Sequence, residues 1–530
     1  MSGSPGNSSE NDRGVVDAHG LRAKWIQPAS SLLIVVLGTV AVTLMSRFNI
    51  IDDAYISFRY ARNVARHGEL VFNLGERVEG ITDLLWTLVL TVPALLGLPV
   101  DSAAVWISLA CILATSLRLW QLGPVLGATR FGGAVAALLL IFNPNYIGAA
   151  ANGIEGALFA ALLVEMVWRF ARAQYWLAAV AASLLFLTRP EGMAPALLLL
   201  GGICVKQGSL RKGLRYGIPI AITALGVTAF RLLYFGSFIP NSVIAKSYGL
   251  EKLLFVRGYV FAYFRGFFAE APYLAVILLV SGLWLVRNRQ WRETVALVAL
   301  LCLSTILFSY AVAIRNGGDW MPDYRLLTQY SPVYSVLFIV LLGRRAIPID
   351  VALALLAFPV AQTVLQAVEQ RKPFSISIVR ATEGNFYAQV SYRLQPVLAE
   401  GDIVSAEAIG CISYRLASTR FHDPLGLMDS YIARHGTPVI PYGKSDKEYT
   451  VGTIRPSVMV WHWPGHLKGL DQELLDNYVA LTPGPFRGWS TCVVMIRRDR
   501  FEDLGKAFSD WRRVRFETNS IGPRDSDELE

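Results

Sequence analysis

The apolar residues of this chain fall into a long series of runs, most of them roughly 16 to 22 residues, the length a helix needs to cross a bilayer. They lie near 29–46, 84–99, 102–122, 132–149, 153–170, 175–187, 191–205, 214–235, 271–286, 293–313, 326–343 and 346–366. Lipid offers no partner to a free backbone N–H or C=O, so each run must satisfy its own hydrogen bonds as a helix. Charged residues make up 17% of the 530 residues, where a soluble domain carries about 25%. The chain is read as a polytopic α-helical membrane protein. Its net charge of +9 fits basic loops on the cytoplasmic face and not nucleic-acid binding.

Basic loops set the orientation. Lys206, Arg211, Lys212 and Arg215 form one; Arg287, Arg289 and Arg292 a second; Arg344 and Arg345 a third; Arg169 and Arg172 a weaker fourth. Placing these inside puts 143–152, 188–191, 236–250, 315–325 and the C-terminal region outside. Parity then requires one run not to cross. The run 84–99, short and broken by Pro93, is assigned that role, leaving about eleven spans. Residues 1–28 read as a disordered cytoplasmic tail without a cleavable signal, and 29–370 as the membrane domain with its first outer loop at 47–83. Residues 371–530 read as a soluble extracytoplasmic α/β domain, with strands at 402–406 and 491–497. Of five cysteines, Cys111, Cys204 and Cys302 lie in apolar runs, while Cys411 and Cys492 leave a disulfide open.

Behind the first run stand Asp52 and Asp53, in IDDAYISFRYA. Ionised groups held at a membrane face are costly and mark function. In the segment after them Ile56, Tyr60 and Val64 recur on one helical face and Arg59, Arg62 and Arg66 on another. That pattern predicts an interfacial helix with its apolar side in lipid, Arg62 and Arg66 serving as anchors. Further polar clusters fall on the same outer side: Asn152 with Glu155, Thr188 to Gly192, Tyr234 to Lys246, and Asn316 to Arg325. Each has a plain reading as a helix break, a turn or a snorkelling arginine. Their convergence on one side predicts a polar cleft at the membrane surface.

Such a cleft suits glycosyl transfer from a polyprenyl phosphate. An acceptor hydroxyl needs a carboxylate as base, and the departing phosphate needs cations or a divalent metal. Asp53 and Asp52 are the candidate catalytic acids. Arg59, Arg189, Lys246 and Arg325 are assigned to phosphate. Asn152, Glu155, Glu191, Tyr234, Asn241, Asp319 and Trp320 are assigned to sugar or acceptor. No cofactor is required, and a divalent metal is left open. There is no P-loop or dinucleotide fingerprint, and Pro464 between His462 and His466 argues against a zinc helix. A transporter would place its charges near the midplane of inverted repeats, which the sequence lacks. The rival reading is an inactive membrane scaffold that kept the fold.

IDDAYISFRYARN followed by GERVEGIT, with LTRPEG at 187–192, YFGSFIPNSVIAK at 234–246, GGDWMPDYR at 317–325 and PLGLMDSYIAR at 424–434, resembles the membrane-embedded C-type (GT-C) glycosyltransferases. The likeness is to the mycobacterial terminal arabinofuranosyltransferase family and runs from about residue 30 to 460. The resemblance implies a decaprenyl-phospho-arabinofuranose-type donor and Asp52 or Asp53 at the reaction centre. It also implies an outer C-terminal domain shaping access for a glycan or surface-protein acceptor, in a bacterial inner membrane. Two residues depart from the family pattern: Asp83, where an amide or small polar residue is expected, and Asp323, where glycine is expected.

Overall fold

The apolar runs fold as helices, and their breaks fall where proline stands. The computed structural model describes residues 13–247, 251–288, 290–319, 321–370, 375–380, 385–439, 442–462, 467–484, 492–517 and 520–523. Five helical stretches are long and apolar enough to cross a membrane: Pro28–Met45, Val100–Val125, Leu210–Phe235, Thr294–Asn316 and Ile349–Glu369. Two pairs are bent at a break, Arg130–Ile141 with Pro144–Ala150 by 70° and Val256–Glu270 with Pro272–Arg287 by 94°. Pro144 and Pro272 open the second helix of each pair, where a missing N–H is harmless but the preceding helix cannot continue.

Counting each bent pair as one span gives up to seven, fewer than the eleven expected from counting runs. The shortfall comes from runs folded as shorter helices. Tyr175–Thr188 and Met193–Gln207 have 14 and 15 residues and are divided by the turn Pro190–Gly192. Leu84–Leu95, the run already left out of the eleven, has 12 residues, about 18 Å of helix against about 30 Å of hydrocarbon. Leu37, Ile222, Leu225, Leu279, Leu307 and Leu365 point outward from the bundle, as lipid-facing residues do. The chain is a multi-pass membrane protein. Residues 1–12 of the expected disordered tail lie outside the described residues, and the rest of that tail is helical, in Arg13–Met45.

The C-terminal region carries a seven-stranded mixed sheet. Its order is Ser520–Pro523, Arg512–Glu517, Tyr478–Thr482, Val493–Arg497, Val458–Trp461, Ile403–Ala406, Arg420–His422. A separate parallel pair ties this region to the segment that follows the first membrane helix, with Arg47–Ile50 against Ser377–Arg380. Arg380 adds an ion pair to Asp101, 2.8 Å, at the start of a long membrane helix. No disulfide joins Cys411 and Cys492. Cys492 Sγ lies 3.2 Å from His462 Nδ1.

The helix Ala54–His67 departs from expectation. Its aromatic face does not lie in lipid. Tyr55, Phe58 and Tyr60 are fully buried, and the helix is packed between Leu84–Leu95 and Gly410–Arg415. Arg62 donates to the carbonyl of Tyr414 at 2.5 Å and stacks on its ring. Arg62 therefore pins the outer domain and does not reach for lipid phosphate. The periodicity of an amphipathic helix reveals a face to be covered but not what covers it.

Candidate active site

Asp52 and Asp53 are adjacent but face opposite ways. The amides of Gly410 and Cys411 donate to the two carboxylate oxygens of Asp52, each at 2.9 Å. Asp52 thus receives the first turn of a helix in the outer domain. Only glycine fits at 410, because a Cβ there would stand 1.9 Å from the Asp52 carbonyl oxygen. Burial raises the Asp52 pKa, the two amides oppose that, and the Asp53 charge adds to it. Asp53 instead lines a cavity of about 640 Å³. Its orientation is set by the backbone: the Ile51 amide donates to the Asn152 carbonyl at 3.1 Å. Gly153, at φ +94°, lets that loop close on Ala54 and Ile50.

The cavity gathers residues from six separate segments. Asp53, Ser57 and Asp83 come from the first outer loop; Glu155, Arg189 and Glu191 from two helix junctions; Lys246 from the 236–247 loop; Arg315, Asp319 and Arg325 from the segment around 317–325; and Leu427 from the outer domain. Two arginines organise the acids. Arg189 forks between Glu155 and Glu191, the latter at 3.2 Å. Arg325 joins Asp319 at 2.5 Å and reaches Asp53 at 3.6 Å. Lys246 and Arg315 have no ion-pair partner among the described residues. Burial lowers the Lys246 pKa, partly offset by the charge of Asp53. Phe308, Ala311 and Val312 form an apolar wall along the helix Thr294–Asn316, joined by Leu326 from Arg325–Thr328.

Seven of the residues singled out in the sequence thus meet in one cavity: Asp53, Glu155, Arg189, Glu191, Lys246, Asp319 and Arg325. Five others do not line it. Asp52 holds the outer domain. Arg59 is 2% exposed and donates to the carbonyls of Phe72 (2.7 Å), Ser413 (2.5 Å) and Thr419 (2.9 Å), between the rings of Phe72 and Phe421. It is a bolt between loop and domain, with no open face for a phosphate. Asn152 shapes its own loop, accepting from the Ile154 amide. Tyr234 accepts from the Leu70 amide at 3.0 Å under the Arg77 guanidinium. Asn241 donates to the carbonyls of Gly426, Leu427 and Asp429, which brings Leu427 to the cavity rim. Trp320 lies outside the described residues. Arg315 was missed because a basic residue in the last helical turn has an ordinary reading as a helix-dipole partner.

A divalent ion has little to hold it. No group of three or more acidic, histidine or cysteine ligands is assembled among the described residues, and four of the cavity acids already face guanidinium groups.

No family model matches the chain. It is 27% identical over 325 residues to the terminal β-(1→2)-arabinofuranosyltransferase of Mycobacterium tuberculosis, covering 54% of this chain and 51% of that protein. It is 26% identical over 356 residues to the protein of the same name in Corynebacterium glutamicum, covering 57% and 48%. The chain therefore spans about half the length of the curated relatives it matches. Among solved structures, the archaeal oligosaccharyltransferase AglB of Archaeoglobus fulgidus superposes with a TM-score of 0.54 at 12% identity, over 87% of this chain and 74% of that one. The fold is thus that of the C-type (GT-C) membrane glycosyltransferases, in a chain related by sequence to the terminal arabinofuranosyltransferases.

Proposed function

We propose that the chain transfers a pentose, arabinofuranose, from a polyprenyl phosphate to a hydroxyl of an extracytoplasmic glycan or surface-protein acceptor. The observation that carries this is the cavity itself. Asp53, one of its five carboxylates, shares it with two cations that have no ion-pair partner among the described residues, Lys246 and Arg315, beside an apolar wall. Asp53 takes the proton of the acceptor hydroxyl as the oxygen–C1 bond forms. The C1–O bond to phosphate breaks, and Lys246 and Arg315 receive the charge that collects on the leaving phosphate. Arg325 holds the Asp53 carboxylate in place. The wall of Phe308, Ala311 and Val312 takes the first prenyl units. The names of the sequence relatives support the sugar. The dolichol-phosphate in the solved oligosaccharyltransferase complex supports a lipid-phosphate donor. In this reading the cavity and the outer domain face away from the cytoplasm, at the bacterial inner membrane.

The test is release of prenyl phosphate from a synthetic short-chain prenyl-phospho-arabinofuranose by the purified full chain. Asp53→Asn should lower turnover about 10²- to 10⁴-fold, the range for a lost general base, with thermal unfolding unchanged. An unfolded Asp53→Asn protein would make that carboxylate structural. Folded wild-type protein that consumes no donor with several acceptors would remove arabinofuranose as the sugar.

A further inference from the structure

Asp83 stands apart from the other acids of the cavity. Five carboxylates line it, and four of them, Asp53, Glu155, Glu191 and Asp319, are ion-paired with Arg189 or Arg325. Asp83 has no ion pair among the described residues. It is 5% exposed. Ser57 Oγ donates to its Oδ2 at 2.7 Å, and Thr87 Oγ1 lies 3.4 Å from its Oδ1. Two hydroxyls do not neutralise a buried carboxylate, and a buried charge without a counter-charge is disfavoured against its protonated form. The groups that act on it come from every side. Glu155 and Arg189 face it across the cavity, with the Glu155 charge opposing its ionisation more than Arg189 assists it. Tyr60 approaches from the helix Ala54–His67. Glu79 lies in the same loop and is held by Arg231 at 2.9 Å.

We propose that Asp83 is a specificity-determining residue that works as a neutral acid, donating a hydrogen bond to a hydroxyl of the bound sugar, and that its ionisation weakens the hold on the donor phosphate. The inference rests on the transfer reaction proposed above. A protonated carboxyl is both donor and acceptor, so it grips a sugar hydroxyl without adding negative charge beside a phosphate. When Asp83 loses its proton, a fifth negative charge enters the cavity and the hydrogen bond to sugar reverses its direction. Burial and then the Glu155 charge push the Asp83 carboxyl up to about 7, so this change falls near neutral pH.

The experiment measures donor KM and kcat from about pH 5.5 to 8.5, bracketing that value, with the short-chain prenyl-phospho-arabinofuranose, for wild type, Asp83→Asn and Asp83→Ala. Wild-type KM should rise about tenfold across that range, the scale of one added charge several Å from a phosphate, with kcat less affected. Asp83→Asn, neutral at every pH and still a donor, should hold KM flat near the wild-type low-pH value. Asp83→Ala should also be flat, but with KM raised throughout. Parallel wild-type and Asp83→Asn curves would overturn the proposal. A second readout needs no turnover. A raised carboxyl costs stability as pH climbs from the unfolded value of 3.8 to the folded value of about 7. The thermal stability of wild type should therefore fall relative to Asp83→Asn over that interval and hold a constant offset above it. A constant offset at all pH values would show that Asp83 titrates alike in the folded and the unfolded chain and would sink the proposal. Absence of turnover in wild type would instead remove the proposed reaction, while the stability curves still decide whether Asp83 carries its proton.

Discussion

Two polar regions of the molecule sit side by side and use charge differently. One is the cavity; the other is the seam between the first outer loop and the C-terminal domain. In the seam the key polar groups are engaged. Asp52 accepts two amides, Arg59 donates to three carbonyls, and Asn241 donates to three more. In the cavity, Lys246, Arg315 and Asp83 are left without ion-pair partners among the described residues. A densely paired network contributes fold specificity, because every group left unmatched by a wrong packing is penalised. An unsaturated one keeps binding capacity for something outside the chain. The adjacent pair Asp52 and Asp53 places one residue in each regime.

The largest effect expected follows from that pair. Asp53→Asn should abolish most turnover and leave unfolding unchanged, whereas Asp52→Asn should do the reverse. The carboxamide introduced by Asp52→Asn cannot accept from both Gly410 and Cys411 with charge assistance, so the outer domain loosens while turnover per folded molecule stays near wild type. Thermal unfolding in detergent beside single-turnover kinetics separates the two. Equal losses of activity in both variants would erase the distinction between seam and cavity.

Next in size is Arg59→Met. It keeps the apolar stem between Phe72 and Phe421 but takes the guanidinium donor from the carbonyls of Ser413 and Thr419, while the Phe72 carbonyl keeps Asn63. Each charge-assisted hydrogen bond lost in this way costs roughly 1.5 to 3 kcal/mol. The expected result is a large drop in unfolding temperature, with donor KM unchanged in the fraction that remains folded. A raised donor KM at unchanged stability would return Arg59 to phosphate binding. Lys246→Met comes third. Loss of one preorganised cation at the leaving group should cost about 10²-fold in turnover. Stability should be equal or higher, because a desolvated cation without an ion-pair partner among the described residues has been removed. Arg315→Met, at an exposed position, should lose less.

These contrasts also mark what the sequence made legible. The apolar runs, the polar blocks between them and the acidic start of the first outer loop were enough to place Asp53, Arg189, Lys246 and Arg325 on one side of a membrane domain. The same reasoning misassigned Arg59, since its partners Ser413 and Thr419 lie more than 350 residues away and helical periodicity carries no information about them. It could not separate Asp52 from Asp53, because one residue of backbone rotation decides which carboxylate turns inward, and the docked Gly410 together with the Ile51–Asn152 backbone bond fixes that rotation. It counted eleven spans because a hydropathy run does not reveal how long its helix will be: 175–187 and 191–205 fold as helices of 14 and 15 residues divided by the turn Pro190–Gly192. Asp83 was visible only as a departure from a pattern. Its meaning depends on Glu155 standing nearby without sharing Arg189 with it.

Asp323 is the other departure, and it tests the comparison from outside both regions. It sits at φ +63°, followed by Tyr324 at φ +49°, backbone that disfavours a side chain and suits glycine. Its carboxylate presses on Gly148, where a Cβ would approach to 2.6 Å. It lines a separate cavity with Asn49 and Gln366. Burial and the Glu270 charge push its carboxyl up to about 6. Asp323→Gly removes the backbone strain and the desolvated acid but adds chain entropy to the unfolded state. The net gain should be about 1 kcal/mol near neutral pH. The sign with pH follows from the raised pKa. The wild-type penalty accumulates from 3.8 to about 6, so the advantage of glycine should be largest above about pH 6 and shrink toward about pH 4. Turnover should stay at the wild-type level, since Asp319 and Arg325 keep the loop's cavity side in place. A fall in turnover with unchanged stability would show that the strained aspartate belongs to the reaction, and that spare charge outside the main cavity also serves it.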